Sequence, residues 1–344
     1  MSKRFQRIVA LLSVSLLILV AGGFGNVSGE GARAASSSIL YIPARTVERA
    51  KIRPATYSRA YISTLASSLA LILPEPEEEI FSVPDLDGTA GGVALSYTES
   101  SVFVDGEDVG TAMNIGGTVY VPVEDFCEAV GFGITARWDE EENTVYYSGT
   151  DIELVVHPGD RWIVANDRCF HTDRIYDING AVMVPLQELA GCFGVAMNAS
   201  ENQEDVYLDT SEMAPLAPAE EVYDEDDLYW LSHLIFAEAG NQPLDGMVGV
   251  GNVVLNRVAD PTCPDTVYDV IFDNRYGVQF SVTETGTINL EPSDMAVKAA
   301  KMCMEGYNCV GDSLYFVNPV IGISSWFTAT RTYVTTIGDH VFFA

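Results

Sequence analysis

The feature that most constrains the fold of this chain is an internal repeat. Gly117-Thr-Val-Tyr-Val-Pro122 recurs as Gly180-Ala-Val-Met-Val-Pro185, an offset of 63 residues. The match continues downstream, where Phe126 aligns with Leu189, Ala129 with Cys192, Val130 with Phe193 and Gly131 with Gly194. Each copy predicts a strand, a Pro at the start of a short helix, and a further strand. Those later strands are Thr144-Val-Tyr-Tyr147 and Asp205-Val-Tyr-Leu208. Val102-Phe-Val-Asp-Gly106 adds a hairpin signal ahead of the first copy, because Asp-Gly suits a tight turn with positive φ. Residues 96–210 therefore predict one small duplicated α/β unit.

The flanks set the other boundaries. Lys3, Arg4 and Arg7 precede an apolar run from Ile8 to Ala21, and Ala32-Arg33-Ala34 offers a cleavage site. Residues 1–34 thus read as a secretory signal peptide, with an uncleaved N-terminal membrane anchor as the alternative. The run is shorter than the ~20 residues that span a bilayer, so no integral span is expected in the mature chain. A second apolar run, Ala60 to Leu73, is also too short. Residues 35–95 read as a linker rich in Ser, Ala and Pro that ends in the acidic spacer Pro74-Glu-Pro-Glu-Glu-Glu79. Met213-Ala-Pro-Leu-Ala-Pro-Ala219 marks a second linker at 211–221.

Charge excludes some partners. The net charge is −31, with +7 on the first sixty residues and −38 on the rest. So acidic a body argues against nucleic acid and against electrostatic adhesion to anionic polymers. Six cysteines suit an exported protein, but Cys127, Cys169 and Cys192 fall in one half and Cys263, Cys303 and Cys309 in the other. Sequence does not choose among the connectivities, and free thiols are the alternative. No C-x-x-C pair exists, and His157, His171, His233 and His340 are scattered. No metal site and no cofactor are expected.

From residue 222 the pattern turns helical, and one carboxylate stands out. Leu231, Leu234, Ile235 and Glu238 fall at i, i+3, i+4 and i+7, on one side of a helix. An ionised carboxylate beside apolar neighbours is costly, so the pKa of Glu238 is expected to rise. A Glu still protonated near neutral pH is what a general acid for glycosidic cleavage needs. The bland alternative is that Glu238 surfaces at the helix end. Asp224 to Asp227 favour the helix start, Gly240 is expected to close it as a C′ glycine, and Pro243 opens the next. Leu244 to Val258 keep helical spacing. Asp265 is expected to cap a third helix from Thr266 to Phe272, Tyr276 to Asn289 reads as a hairpin or loop, and Ser293 caps a fourth helix. Strands follow at Ser313 to Val317, Thr332 to Thr335 and His340 to Phe343.

Two resemblances build on these residues. The duplicated unit resembles the copper amine oxidase N-terminal-like domain over about residues 100–210, though His157 and His171 lack ligand-like spacing. Its expected role is a stalk or wall-binding module, or equally a spacer. The second is carried by Ala237-Glu238-Ala239-Gly240, Asn252-Val-Val-Leu-Asn256-Arg257, Tyr276-Gly-Val-Gln279-Phe280-Ser281, Leu314-Tyr-Phe-Val-Asn318-Pro319 and Ile337-Gly338-Asp339-His340. Together these resemble the cell-wall hydrolase family of spore cortex-lytic enzymes (SleB type) over 222–344. That resemblance implies an α+β fold, a lysozyme-like helical domain with a small β-sheet, acting on peptidoglycan glycan strands. It places the catalytic Glu on Glu238.

The family often carries a second Glu four residues on, where this chain has Gln242. A lytic transglycosylase can work with one carboxylate, whereas an inverting hydrolase needs a second about 6.5–9.5 Å away. Asp245, Glu284 and Asp294 are the nearby candidates. Gln279 and Asn318 could bind N-acetyl groups or orient the reacting centre, with loop-stabilising hydrogen bonds as the alternative. Tyr315 and Trp326 could stack on sugar faces. Asn256 and Arg257 read as residues that fix helix ends. The expectation is a secreted or wall-located lytic transglycosylase or muramidase. The alternatives are an N-acetylmuramoyl-L-alanine amidase and a non-catalytic wall-binding or germination accessory protein.

Overall fold

The first described strands build outward from turns that only certain residues allow. In the computed structural model, which describes residues 79–83, 93–319 and 325–344, β1 (Glu79–Val83), β2 (Val93–Val104), β3 (Glu107–Ile115) and β4 (Thr118–Pro122) pair as successive antiparallel neighbours. Asp105 and Gly106 turn the β2–β3 hairpin at φ 51° and 83°, the left-handed geometry that Asp-Gly tolerates. The expected signal segment, the Ala60–Leu73 run and most of the 35–95 linker lie outside the described residues. Among the described residues, no helix is long and apolar enough to cross a membrane.

The repeat is realised as a local two-fold pairing. Pro122 and Pro185, at φ −64° and −55°, precede α1 (Val123–Ala129) and α2 (Leu186–Cys192). A fixed φ suits that boundary, where the missing N–H costs nothing. The strand ahead of α2 is β11 (Ala181–Pro185), preceded by β10 (Tyr176–Ile178). β4 and β11 pair antiparallel with Val121 opposite Val184, Pro122 opposite Met183 and Tyr120 opposite Pro185. Val121 and Val184 are equivalent positions of the repeat, so the copies meet about a point between them. Phe126 of α1 and Phe193 beyond α2 then pack at 5.4 Å between centroids.

After their helices the copies diverge. The first sends β5 (Ile134–Asp139) and β6 (Thr144–Gly149) into a five-stranded antiparallel sheet with β7 (Ile152–Val156), β8 (Trp162–Ala165) and β9 (Arg168–His171). The second returns β12 (Ala196–Ala199) and β13 (Asp205–Asp209) to the main sheet, with β13 parallel to β2. One apolar core, including Val119, Val123, Phe126, Leu186, Leu189 and Phe193, joins both copies.

The 211–221 segment is laid against this unit. The Leu216 N–H donates to the Cys192 carbonyl at 3.1 Å, and the Ala219 N–H to the Asn166 carbonyl at 3.0 Å. Asn166 Nδ2 returns a bond to the Leu216 carbonyl at 2.6 Å. The chain continues through α3 (Ala219–Val222), α4 (Glu225–Ala239), α5 (Leu244–Ala259), α6 (Val267–Ile271), α7 (Val282–Thr285) and α8 (Asp294–Met304). It ends with β14 (Tyr315–Val317), α9 (Ser325–Thr330), β15 (Tyr333–Ile337) and β16 (His340–Phe343). The last three strands form an antiparallel sheet with β16 in the middle. The fold class is α+β.

α4, α5 and α8 pack around a second apolar core. Asp224 caps α4, its carboxylate accepting from the N–H groups of Asp226 and Asp227 at 3.0 Å, the expected use of an acid at a helix start. α5 packs on two sides because two of its glycines leave space. A Cβ on Gly249 would lie 2.6 Å from the Phe342 ring, and one on Gly251 would lie 2.7 Å from Cys303 Sγ.

Three local expectations are corrected. Gly240 ends α4 in a helical conformation, φ −61° and ψ −15°, so a left-handed C′ turn is not its role. Instead, a Cβ there would meet the Phe236 carbonyl at 2.6 Å. Thr266, not Asp265, caps α6, with its hydroxyl accepting from the Asp269 N–H at 3.1 Å. Tyr276 to Asn289 is no hairpin: it contains α7 and a 3-10 turn at Thr287–Asn289, separated by the left-handed Gly286.

Candidate active site

Glu238 sits where the buried stripe of α4 runs out. Leu231, Leu234 and Ile235 are each 0% exposed. In the last turn Phe236, Ala237 and Glu238 become half-buried, and Ala239 is buried again. Among the described residues no hydrogen bond or ion pair reaches the Glu238 carboxyl. Burial pushes its pKa up from the ordinary 4.5. Because burial is the cause, its proton is held to higher pH than in an exposed carboxyl group. The protonated state is the one in which a carboxyl group can donate a proton.

The residue one turn on is occupied. Gln242 is 9% exposed, and its Nε2 donates to an Asp339 carboxylate oxygen at 3.1 Å, while its Oε1 accepts from the Asp339 N–H at 2.9 Å. The amide thus pins the β15–β16 turn onto the α4–α5 corner. A carboxylate at 242 would face Asp339 as a like charge. Here the Gln fits a site that needs one donor and one acceptor, which an ionised Glu does not supply.

A second constellation centres on Arg257, near the end of α5. Its Nε donates to the Leu314 carbonyl at 2.8 Å and its terminal nitrogen to Gln279 Oε1 at 3.3 Å. Its guanidinium also lies 5.3 Å from the Phe280 ring and 5.5 Å from the Tyr315 ring. Burial pushes this guanidinium below its ordinary value, a cost offset by these bonds and ring faces. Gln279 Nε2 donates back to the Gly277 carbonyl at 2.9 Å. The amide is therefore held within its own loop. Arg331 lies over the Tyr315 ring at 4.0 Å, so a guanidinium already covers a ring expected to meet sugar.

Of the expected site residues, the structure joins Gln279 and Tyr315 through Arg257. Asn318 follows β14 directly and is half-buried. Trp326 belongs to α9, with its side chain outside the described residues. Among the described residues no hydrogen bond links Glu238 to any of these. The candidates for a second carboxylate are engaged or exposed. Asp245 accepts from the Tyr307 hydroxyl at 3.1 Å, while Glu284 and Asp294 are exposed at the starts of α7 and α8.

Sequence reasoning gave Arg257 only a helix-end role and gave Asp339 none. Their motifs were in view, but nothing in a motif says which long-range partner a side chain meets. Among the described residues no group of three His, Cys, Asp or Glu side chains is placed to hold a metal ion. All six cysteines are free thiols.

Comparison with known proteins bears out both resemblances. Residues 241–343 match the family model described as Cell Wall Hydrolase, and residues 103–208 match that of the Copper amine oxidase N-terminal domain. Spore cortex-lytic enzymes are similar over 120 residues, or 35% of this chain. That of Oceanobacillus iheyensis is 36% identical with 42% of its length covered, and that of Bacillus cereus 34% identical with 45% covered. The matched segment thus spans less than half of these relatives. Two solved structures are also similar. The catalytic domain of the germination-specific lytic transglycosylase SleB from Bacillus anthracis is 33% identical, covering 37% of this chain and 100% of that one, at a TM-score of 0.33. The catalytic domain of the Bacillus cereus SleB protein is 34% identical, covering 36% of this chain and 92% of that one, at a TM-score of 0.33. Glu238 lies just before the span matched by the family model.

Proposed function

We propose that this protein is a secreted enzyme that cleaves the glycan backbone of peptidoglycan as a lytic transglycosylase, with Glu238 as acid and then base. The observation that carries the reading is a half-buried carboxyl group at the end of α4, raised by burial and without an ion-pair partner among the described residues. The similarity of 241–343 to cell-wall hydrolases supports the substrate class.

In this reading Glu238 gives its proton to the glycosidic oxygen as the bond from C1 of muramic acid breaks. The carboxylate left behind takes the proton of the muramic C6 hydroxyl, whose oxygen closes onto C1. The products are a 1,6-anhydro end and a free hydroxyl on the neighbouring sugar, and no water is consumed. Gln242 supports the one-carboxylate route, because its amide is committed to Asp339 and cannot serve as a base. The duplicated unit would serve as the wall-attachment module, and the basic, apolar N-terminus would direct export.

The test is a digest of purified peptidoglycan followed by mass analysis of the fragments. Anhydro-muramic ends support the reading. Reducing muramic ends would instead indicate a hydrolase, and freed stem peptides an amidase. No fragments at all would sink every enzymatic version. Full activity in a Glu238→Gln variant would overturn the site assignment.

A further inference from the structure

The duplicated unit meets the helical region chiefly through β9 on α8, and the contact is built rather than incidental. Cys169 of β9 lies in the same apolar cluster as Leu234, Ile235, Ala299 and Met302. Arg168 holds Glu305 with two bonds of 2.7 Å, and the Tyr223 hydroxyl donates to the same carboxylate at 2.5 Å. Lys301 Nζ donates to the Asp167 carbonyl at 2.7 Å. At the end of β9, the His171 ring lies flat on Tyr307, with centroids 3.7 Å apart and planes 3° from parallel.

Tyr307 carries this contact to α5. Its hydroxyl donates to Asp245 Oδ1 at 3.1 Å, and its carbonyl accepts from Asn252 Nδ2 at 2.8 Å. Asp245 stands in the first turn of α5, just past the 240–243 corner. A Cβ on the adjacent Gly246 would come within 3.0 Å of Gln242 Cβ, so that turn and the corner are in contact. The Gln242 N–H in turn donates to the Ala239 carbonyl at 2.9 Å, which ties the corner to the last turn of α4, where Glu238 lies.

We propose that His171 is a positioning residue for the reaction at Glu238: by stacking on Tyr307 it fixes the Tyr307–Asp245 bond and with it the α4–α5 corner. The inference rests on the glycan-cleaving reading above. A reacting group displaced by 1 Å can cost about 100-fold in rate, so a contact outside the site can matter to the chemistry. The Arg168–Glu305 pair holds the same interface beside this contact, and among the described residues no hydrogen bond or ring contact joins that pair to the Tyr307 side chain. It serves as the internal control for loss of docking alone.

The experiment uses the full chain and measures kcat and KM on peptidoglycan fragments, with the unfolding temperature recorded for each variant. His171→Ala is expected to lower kcat on the order of tenfold, with KM within about twofold. His171→Phe, which keeps a flat ring, is expected to restore most of that loss. Arg168→Ala is expected to lower the unfolding temperature while kcat stays within about twofold of wild type. The inference is overturned if His171→Ala keeps its kcat, if the folded His171→Phe protein fails to recover it, or if Arg168→Ala loses as much kcat as His171→Ala. If the wild-type protein itself releases no fragments, the glycan-cleaving reading falls and takes this inference with it. An active wild type with an unaffected His171→Ala sinks this inference alone.

Discussion

At the scale of single residues, Glu238 sets function against stability. Its carboxyl group is raised by burial, so the folded state resists ionisation. Below the ordinary value of 4.5 the group is protonated in folded and unfolded chains alike, and nothing is lost. As pH rises through the raised folded value, the unfolded state gains by ionising first and stability falls. Glu238→Gln removes that loss. The variant is expected to lose fragment release by about 10²–10⁴-fold, yet to unfold no lower than wild type near neutral pH, with its advantage growing as pH rises from the ordinary 4.5 to the raised folded value and constant above it. Thermal melts across a pH series check the sign. Gln242 makes the opposite point. Gln242→Glu places a carboxylate 3.1 Å from that of Asp339, so one of the two must hold a proton. The variant is expected to be less stable than wild type at neutral pH and to recover as pH falls. A melt with no pH-dependent deficit would show that the amide is not needed there. The stripe that exposes Glu238 was legible in four residues of sequence. The partner that explains Gln242 was not, because Asp339 lies almost a hundred positions away.

At the scale of elements, α5 shows how a helix with poor propensity is preferred for its shape. Gly246, Gly249 and Gly251 each cost about 1 kcal/mol relative to Ala in helix propensity. Gly249 nevertheless lets the Phe342 ring of β16 approach where a Cβ would lie 2.6 Å from it and 3.0 Å from Val310. Phe342 is 0% and Val310 1% exposed, so neither has room to move. Gly249→Ala is therefore expected to destabilise the protein by about 1–2 kcal/mol, overpacking outweighing propensity. Denaturant unfolding checks it, and a stabilised variant would contradict the packing. Spacing made α4, α5, α6 and α8 legible, and Ser293 was legible as a cap, whereas α7 lay in a stretch that reads as a hairpin or loop. Thr266 displaced Asp265 as a cap because either side chain can accept an N–H, and only the path of the chain chooses. Gly240 was legible as a helix end but not for its reason, since crowding against Phe236 is a packing fact.

At the scale of the whole molecule, the duplicated unit and the helical region share an interface rather than a tether. Cys169 is 1% exposed within the second core, and the Arg168–Glu305 pair is nearly buried, with side chains 13% and 9% exposed. Removing one partner of such a pair leaves the other charge poorly solvated. Arg168→Ala is expected to cost about 3 kcal/mol, read as a lowered denaturant midpoint. A cost near zero would mean that water replaces the arginine freely. The same interface makes a separately folding helical region a demanding arrangement, because Glu305 and Tyr307 would both lose their covers.

The sequence by itself determined what depends on neighbours along the chain. The repeat, its strand–proline–helix order, the helical stripes and the carboxylate at the end of one of them are local periodicities, and periodicity is written in consecutive residues. Only the tertiary structure decided which of these meet. It set Val121 against its repeat equivalent Val184, sent one hairpin to a separate sheet and kept the other, and drove β9 into the core of the helices. It also tied Gln242 to Asp339 and Gln279 to Arg257. The physical reason is that a buried polar or charged group must find a partner, but many residues of similar chemistry could satisfy it. Composition states the need, and the three-dimensional path of the chain selects the residue that meets it.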